Sequence, residues 1–211
     1  MARRPGHADD TLVLNAGGLR SLLAVSQWRS EHRTGATEAR EGPRLTFLFV
    51  HDGRDAEARR LEFCRRQAEA LSADGLETLH LPHLFATGHE REAEDVPAGG
   101  LTSPQLLLAA TALALRTGHR RLLWPAAVDA DTRASRRALE QVQLIENAAT
   151  AENRGGLVRI DTPLLQLADR ELAQLARGLR APLTLAWTCT HAKPTPCGAC
   201  RGCHRRINAG L

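Results

Sequence analysis

The sequence predicts an α/β protein, with a parallel sheet covered by helices on both faces and a small four-cysteine segment at its C-terminal end. Three observations carry this. Apolar runs of strand length alternate with helically spaced segments along the 211 residues, as in a sheet wound by crossover helices. The run Leu45–Val50 (LTFLFV) is apolar without a break, the pattern of a parallel strand buried on both sides. Four of the five cysteines fall between Cys189 and Cys203.

The elements follow in order. Thr11–Asn15 (TLVLN) reads as a short strand. Leu19–Trp28 has helical spacing, with Leu19, Leu22, Leu23 and Ser26 on one side. His32–Arg44 is polar, with glycines and a proline, and reads as a connection. After the Leu45–Val50 strand, Asp55–Ser72 places Leu61, Cys64, Ala68 and Leu71 on one helix face. Thr78–Leu81 is a third short strand, and His83–Thr102 is loop-like. Pro104–Thr117 opens with a first-turn proline and is apolar nearly all round, which predicts a buried helix. Arg121–Trp124 and Leu157–Asp161 read as strands around an amphipathic helix, Arg133–Thr150. Asp169–Leu179 closes the series, with Leu172, Leu175, Ala176 and Leu179 inward and Pro182 beyond its end. Right-handed crossovers would fix the hand.

Composition narrows the function classes. With 43% hydrophobic and 25% charged residues, the chain can bury a core, which excludes wholesale disorder. It has no run of 18 apolar residues to span a membrane. The N-terminal Met-Ala-Arg-Arg-Pro-Gly-His has no apolar stretch behind its arginines, so a cytoplasmic, reducing setting is expected. Aromatics are 3% and Tyr is missing, which argues against stacking on single-stranded nucleic acid. Formal net charge is +4, and Lys193 is the single lysine among 28 basic residues. The arginines are scattered among acids and read as a solvated surface. The one basic concentration is Lys193, Arg201, His204, Arg205 and Arg206.

The segment WTCTHAKPTPCGACRGCHRR offers Cys189, Cys197, Cys200 and Cys203. Cys-x-x-Cys turns aim two sulfurs at one ion, and tetrahedral zinc takes four thiolates. Gly198 and Gly202 suit the tight turns, and Pro194 and Pro196 stiffen the approach. A closed shell of four thiolates leaves no open position, so the metal's role is expected to be structural. An iron–sulfur cluster is the rival occupant, since four cysteines also serve it. His191 and His204 are substitute ligands should one cysteine stand aside. Cys64, on an apolar helix face, reads as core.

Between the first strand and first helix lies Asn15-Ala16-Gly17-Gly18-Leu19-Arg20-Ser21. A glycine turn feeding a helix presents N–H groups and the positive dipole end to an anion. It matches neither G-x-G-x-x-G nor the Walker loop, and from these residues alone an ordinary tight turn is the leading reading, with anion binding the other.

Taken together, these segments resemble the 7-cyano-7-deazaguanine synthase family. Ile160–Arg206 carries the resemblance most strongly: Thr-Pro-Leu at a strand end, a helix, Trp-x-Cys, then Cys-Gly-x-Cys-x-x-Cys. The glycine loop is similar to that family's Ser-Gly-Gly-x-Asp-Ser pyrophosphatase loop. The resemblance implies an adenine-nucleotide α-hydrolase-like fold with a five-stranded parallel sheet. It implies ATP and Mg²⁺ at Asn15–Ser21, structural zinc on Cys189, Cys197, Cys200 and Cys203, and a homodimer. It divides the chain into a nucleotide-binding-type domain, residues 1–186, and a zinc-binding segment, residues 187–211. The implied reaction is adenylation of 7-carboxy-7-deazaguanine, with ammonia then giving amide and nitrile in queuosine biosynthesis.

Where the family loop has Ser and Asp, this chain has Ala16 and Arg20; Gly17, Gly18 and Ser21 match. Arg cannot coordinate Mg²⁺, though it can clamp phosphate. The family's Arg-Asn before the apolar helix appears here as Pro104-Gln105, and its acidic substrate loop is echoed by Asp129 and Asp131. The alternative to an active ligase is therefore a non-catalytic relative that binds a nucleotide, a deazapurine base or a partner protein. A zinc-bearing α/β protein outside the family is a third reading.

Overall fold

Hydrophobic parity along the first two strands decides the architecture. Leu12, Leu14 and Leu48 pack into one cluster, and Val13, Phe47 and Phe49 into another on the opposite face, as the two-residue repeat of a pleated sheet requires. The computed structural model describes residues 9–32, 43–82, 102–128, 131–152 and 157–208. The N-terminal segment, most of the His32–Arg44 and His83–Thr102 connections, and Asp129 lie outside them.

The strands are β1 (Thr11–Leu14), β2 (Leu45–His51), β3 (Gly75–His80), β4 (Arg121–Leu123) and β5 (Arg159–Asp161). They form one parallel five-stranded sheet in the order β3-β2-β1-β4-β5. The helices are α1 (Leu19–His32), α2 (Glu57–Ala70), α3 (Thr102–Thr117), α4 (Thr132–Glu152), α5 (Asp169–Gly178) and α6 (Arg201–Asn208). Side chains of α1, α2 and α5 share the first core cluster, and those of α3 and α4 the second, so both faces are covered, as expected. No helix among the described residues is long and apolar enough to cross a membrane.

Local chemistry sets the helix ends. Asp131 accepts hydrogen bonds from the N–H groups of Arg133 (2.9 Å) and Ala134 (3.0 Å) and so caps α4; its carboxylate is occupied as a cap. Gly118, at φ +82°, ends α3 in the left-handed conformation that glycine adopts without strain.

Some expectations need correction. The third strand begins three residues earlier than the sequence pattern suggests and ends at His80. As an edge strand it is only half covered, so no apolar run marks it. α1 continues four residues beyond Trp28. α3 is not buried all round: Gln105, Leu108 and Ala112 face outward. On α2, Phe63 and Gln67 are buried alongside Cys64, and neither belongs to the expected face. α6 has no counterpart in the sequence reading.

All strands being parallel, their C-terminal ends lie along one edge. β1 connects to β2 on one side, and the chain reaches β4 on the other only after β3. The order thus reverses beside β1, where sheets of this kind form a ligand crevice. The glycine loop leaves β1 at this point.

Candidate functional site

The glycine loop is held by its own polar groups. The side-chain oxygen of Asn15, a residue 2% exposed, accepts the Gly17 N–H at 2.7 Å. The Asn15 side-chain nitrogen donates to Gln67 Oε1 on α2 at 3.0 Å. Gln67, fully buried, donates from Nε2 to the carbonyls of Gly18 (3.3 Å) and Leu185 (2.8 Å). The Ser21 hydroxyl accepts the Ala16 N–H at 3.2 Å. The Gly17 carbonyl accepts the Trp187 N–H at 2.9 Å.

Gly17 has a specific reason to be glycine. Its φ is +71°, and a Cβ there would stand 2.2 Å from the Arg60 carbonyl oxygen. At Gly18 the nearest atom to an added Cβ is the Trp187 carbonyl oxygen, at 3.6 Å. The loop therefore presses backbone to backbone against α2 and against the approach to the cysteine segment.

α1 starts at Leu19, and the Gly18 carbonyl accepts its first helical hydrogen bond, from Leu22 N–H at 3.1 Å. The N–H groups of Gly18, Leu19, Arg20 and Ser21 fall in the turn that has no acceptor within the helix. Ala16 is exposed, and Gly18, Leu19 and Arg20 are half-buried. Asn15 and Ser21 turn their side chains into the loop, leaving its backbone as the chemistry toward a ligand.

A second charged group stands on the same sheet edge, unforeseen in the sequence. Asp52 follows β2 and is 4% exposed. It receives Arg54 (Nη2 to Oδ2, 2.6 Å) and Arg60 (Nη1 to Oδ2, 3.0 Å; Nη2 to Oδ1, 2.5 Å). Burial pushes its carboxyl up, but hydrogen bonds and charge from Arg60 and Arg54 outweigh that and hold it below its ordinary value. Beside it, His51 Nδ1 lies 2.8 Å from Glu57 Oε1, and the His51 and His80 rings stack 4.2 Å apart. The signal was present: polar residues directly after a continuous apolar strand, where parallel sheets carry their sites.

The four cysteine sulfurs all lie within 4.8 Å of one another. Cys197 Sγ is 4.0 Å from Cys203 Sγ, and Cys200 Sγ is 3.9 Å from Cys189 Sγ. Thiolates about 2.3 Å from one tetrahedral ion stand about 3.8 Å apart, so the donor set fits a single metal. Backbone N–H groups of His191 and Cys197 point at Cys189 Sγ, each at 3.4 Å, and that of Cys200 at Cys197 Sγ at 3.3 Å. His191 and His204 are exposed and lie outside the group.

Charge explains why such a group wants a cation. Burial pushes the Cys200 thiol up, but hydrogen bonds from Thr190 and Cys203 outweigh it and bring the thiol down to about 6. Burial and the Cys200 sulfur push Cys203 up to about 12. Four crowded sulfurs do not ionise together unless a cation compensates them. Cys64, by contrast, is pushed up to about 12 by burial alone in the core.

The cysteine segment docks on α2. Phe63, Trp187, Cys189 and Cys203 form a third buried cluster. The Arg59 guanidinium lies 4.9 Å from the Trp187 ring centre and 5.3 Å from that of Phe63, and it donates to the Pro194 carbonyl at 2.9 Å. Arg205 on α6 pairs with Asp169 on α5 at 3.4 Å.

Comparison with known proteins gives consistent relatives. Residues 106–210 match the family model described as queuosine biosynthesis protein QueC. A 7-cyano-7-deazaguanine synthase of Acidobacterium capsulatum is 43% identical over 54 residues, 26% of this chain and 24% of the relative. That of Methanosarcina mazei is 33% identical over 70 residues, 33% of this chain and 30% of the relative. These matches thus span about a quarter to a third of the relatives' length. The synthase of Aliarcobacter butzleri is 24% identical over 186 residues, 80% of this chain and 81% of the relative. Among solved structures, the U34-tRNA thiolase NcsA of Methanococcus maripaludis, with its [4Fe-4S] cluster, superposes with a TM-score of 0.54 at 13% identity. That match covers 96% of this chain and 65% of the thiolase, and the likeness is one of fold.

Proposed function

The chain belongs to the queuosine biosynthesis protein QueC family, and from that premise we propose that it binds the phosphates of an adenine nucleotide at Gly17–Ser21 without carrying out the family's adenylation. The observation that carries this reading is Arg20 in the first turn of α1. The first-turn N–H groups and the helix dipole favour an anion there. Arg adds a positive charge where the resembling loop has a metal-binding acid. Two unit charges about 4 Å apart interact by about 4 kcal/mol at an effective dielectric near 20, so this exchange reverses the preference between Mg²⁺ and free phosphate oxygens.

Calorimetric titration with ATP, with and without Mg²⁺, tests the reading. Binding that survives removal of Mg²⁺ is expected, and Arg20→Asp should weaken it roughly tenfold or more in the absence of Mg²⁺. No heat of binding under either condition would refute it. The extended match to the Aliarcobacter synthase favours a second reading, an active ATP-dependent synthase. That reading requires AMP to appear with 7-carboxy-7-deazaguanine and ammonium, and the first requires that none does. Arg20→Asp combined with Ala16→Ser is the variant to search for gained turnover.

At the four cysteines the reading is one structural Zn²⁺. Sulfurs within 4.8 Å of one another support a shared ion over a four-iron cluster, which gives each thiolate its own iron and spreads them apart. When bound, the ion supplies a tetrahedral anchor for residues 187–203 and no reactive position. Elemental analysis finding about one zinc per chain is the expected result; iron with acid-labile sulfide would replace it with a cluster. The family resemblance extends the proposal to a homodimer, which light scattering measures directly.

A further inference from the structure

The Gly17–Gly18 peptides are braced from two sides, and both braces lead to the cysteine segment. On one side, the Gly17 carbonyl accepts the Trp187 N–H at 2.9 Å. Trp187 is 4% exposed and is packed with Phe63, Cys189 and Cys203. On the other, Gln67 uses its oxygen for Asn15 and both contacts of its nitrogen for the Gly18 and Leu185 carbonyls. Both donors of its amide are thereby used, and its oxygen has a partner. Leu185 lies two residues before Trp187, and the Gly17 N–H is held by Asn15. Apart from the Ser21 hydroxyl on the Ala16 N–H, the polar groups fixing the loop are therefore shared with the segment leading into Cys189, or are tied through Asn15 to Gln67, which touches both.

From this geometry we infer that occupancy of the four-cysteine site sets the conformation of the glycine loop, with Gln67 as the positioning residue of the link. A bound ion holds Cys189, and Cys189 holds Trp187 against Phe63. Trp187 and Leu185 then stand where the Gly17 carbonyl and the Gln67 amide need them. Without the ion the four sulfurs lose their common centre, and the loop loses one carbonyl partner and the registration of another. The same coupling runs in reverse, because linkage between two binding sites is reciprocal. The consequence for ligand affinity rests on the nucleotide-binding reading above; the coupling of the metal site to the loop does not.

Hydrogen exchange by mass spectrometry on the full chain, without nucleotide, tests the link. Chelating the metal is expected to speed exchange at amides of residues 16–22 as well as 187–203, and to leave β2 and α4 protected. In metal-loaded Gln67→Met, similar in volume but without the amide, residues 16–22 should exchange on the order of tenfold faster while metal content stays at the wild-type level. Faster exchange confined to 187–203 on metal removal, with the loop unchanged, overturns the inference. Should chelation loosen the whole sheet, the metal-loaded Gln67→Met protein decides: unchanged loop exchange refutes the link, and accelerated exchange sustains it. Should Gln67→Met fail to fold, the chelated wild type decides by the same criterion. Failure of both arms, with exchange raised everywhere, also counts against a dedicated link. ATP titration of metal-loaded and metal-free protein then reads the consequence separately, as a difference of about 5–150-fold. No ATP binding to either form removes the nucleotide reading and leaves the loop result standing.

Discussion

The cysteine segment and the glycine loop are built from different materials. The segment's chemistry resides in four side chains, and all four sulfurs converge. The loop's chemistry is mostly backbone: a left-handed glycine, first-turn N–H groups, and carbonyls tied to Gln67 and Trp187. Side-chain chemistry is lost by a single substitution. Backbone chemistry tolerates replacement of a side chain such as that of Ala16, provided the turn and its braces remain. One region is thus fixed by what its residues are, and the other by what surrounds it.

The largest expected effect breaks the first region. Cys189→Ser should lose the metal and lower unfolding free energy by at least about 3 kcal/mol, because ion binding is folding energy for such a segment. Metal analysis and a thermal melt check it. Cys64→Ser is the contrast. It keeps the metal and costs about 1–3 kcal/mol for burying a hydroxyl in an apolar site. Loss of metal from the Cys64 variant would show that the segment depends on the core beneath α2.

Breaking the second region calls for a backbone change. Gly17→Ala should cost about 3 kcal/mol: about 1–2 kcal/mol for the left-handed conformation and the rest from the overlap with the Arg60 carbonyl. Gly18→Ala, with an added Cβ at 3.6 Å from its nearest neighbour, should cost less than about 1 kcal/mol. Urea denaturation separates them, and equal costs would mean that the loop does not press on α2.

Asp52→Asn probes the floor beside the loop. Removing the carboxylate leaves Arg60, 11% exposed, without its countercharge, at about 2 kcal/mol near neutral pH, discounted from the fully buried case because Arg54 reaches solvent. The sign in acid follows from the depressed carboxyl. Asp52 contributes its stability fully above its unfolded value near 3.8 and loses it as pH falls through the lower folded value. The variant should therefore converge on wild type only in strong acid, as followed by circular dichroism.

Legibility in the sequence divides along the same line. The buried strands announced themselves, because a strand covered on both faces has no polar residue to interrupt it, as Leu45–Val50 shows. The edge strand Gly75–His80 was legible only from Thr78 onward, since half its surface faces solvent and Glu77 and His80 break the pattern. α6 was unreadable by periodicity: it is short, and basic residues and one of the four clustered cysteines occupy its turns. The four cysteines were legible from spacing alone. Gln67 was not, because a lone Gln on an amphipathic helix reads as solvated, and its partners lie 49, 52 and 118 residues away in sequence. Asp52, Arg54 and Arg60 disappeared into a composition in which charges are scattered. Networks closed between distant segments leave no local trace.

The smallest expected effect separates acid loss of the metal from acid loosening of the sheet. His119, 4% exposed, bridges the end of α3 to β2. Thr117 Oγ1 donates to the Leu113 carbonyl (2.8 Å), so its lone pair receives His119 Nδ1–H (2.7 Å), and Nε2 is left to accept from Thr46 Oγ1 (3.0 Å). This is the arrangement of the neutral ring, which burial favours. Burial, with the Arg44 charge, lowers its pKa from 6.5. Between the lowered folded value and the unfolded one, the unfolded chain binds more protons. Stability from this group is therefore complete above about pH 6.5 and declines as pH falls, by about 1.4 kcal/mol for each unit of depression at most. Metal-loaded protein should lose stability as pH falls below about 6.5 while metal content holds, and His119→Gln should flatten that slope. If the slope persists in His119→Gln and tracks metal release, the acid sensitivity belongs to the thiolates, and the scaffold under the loop is indifferent to pH in this range.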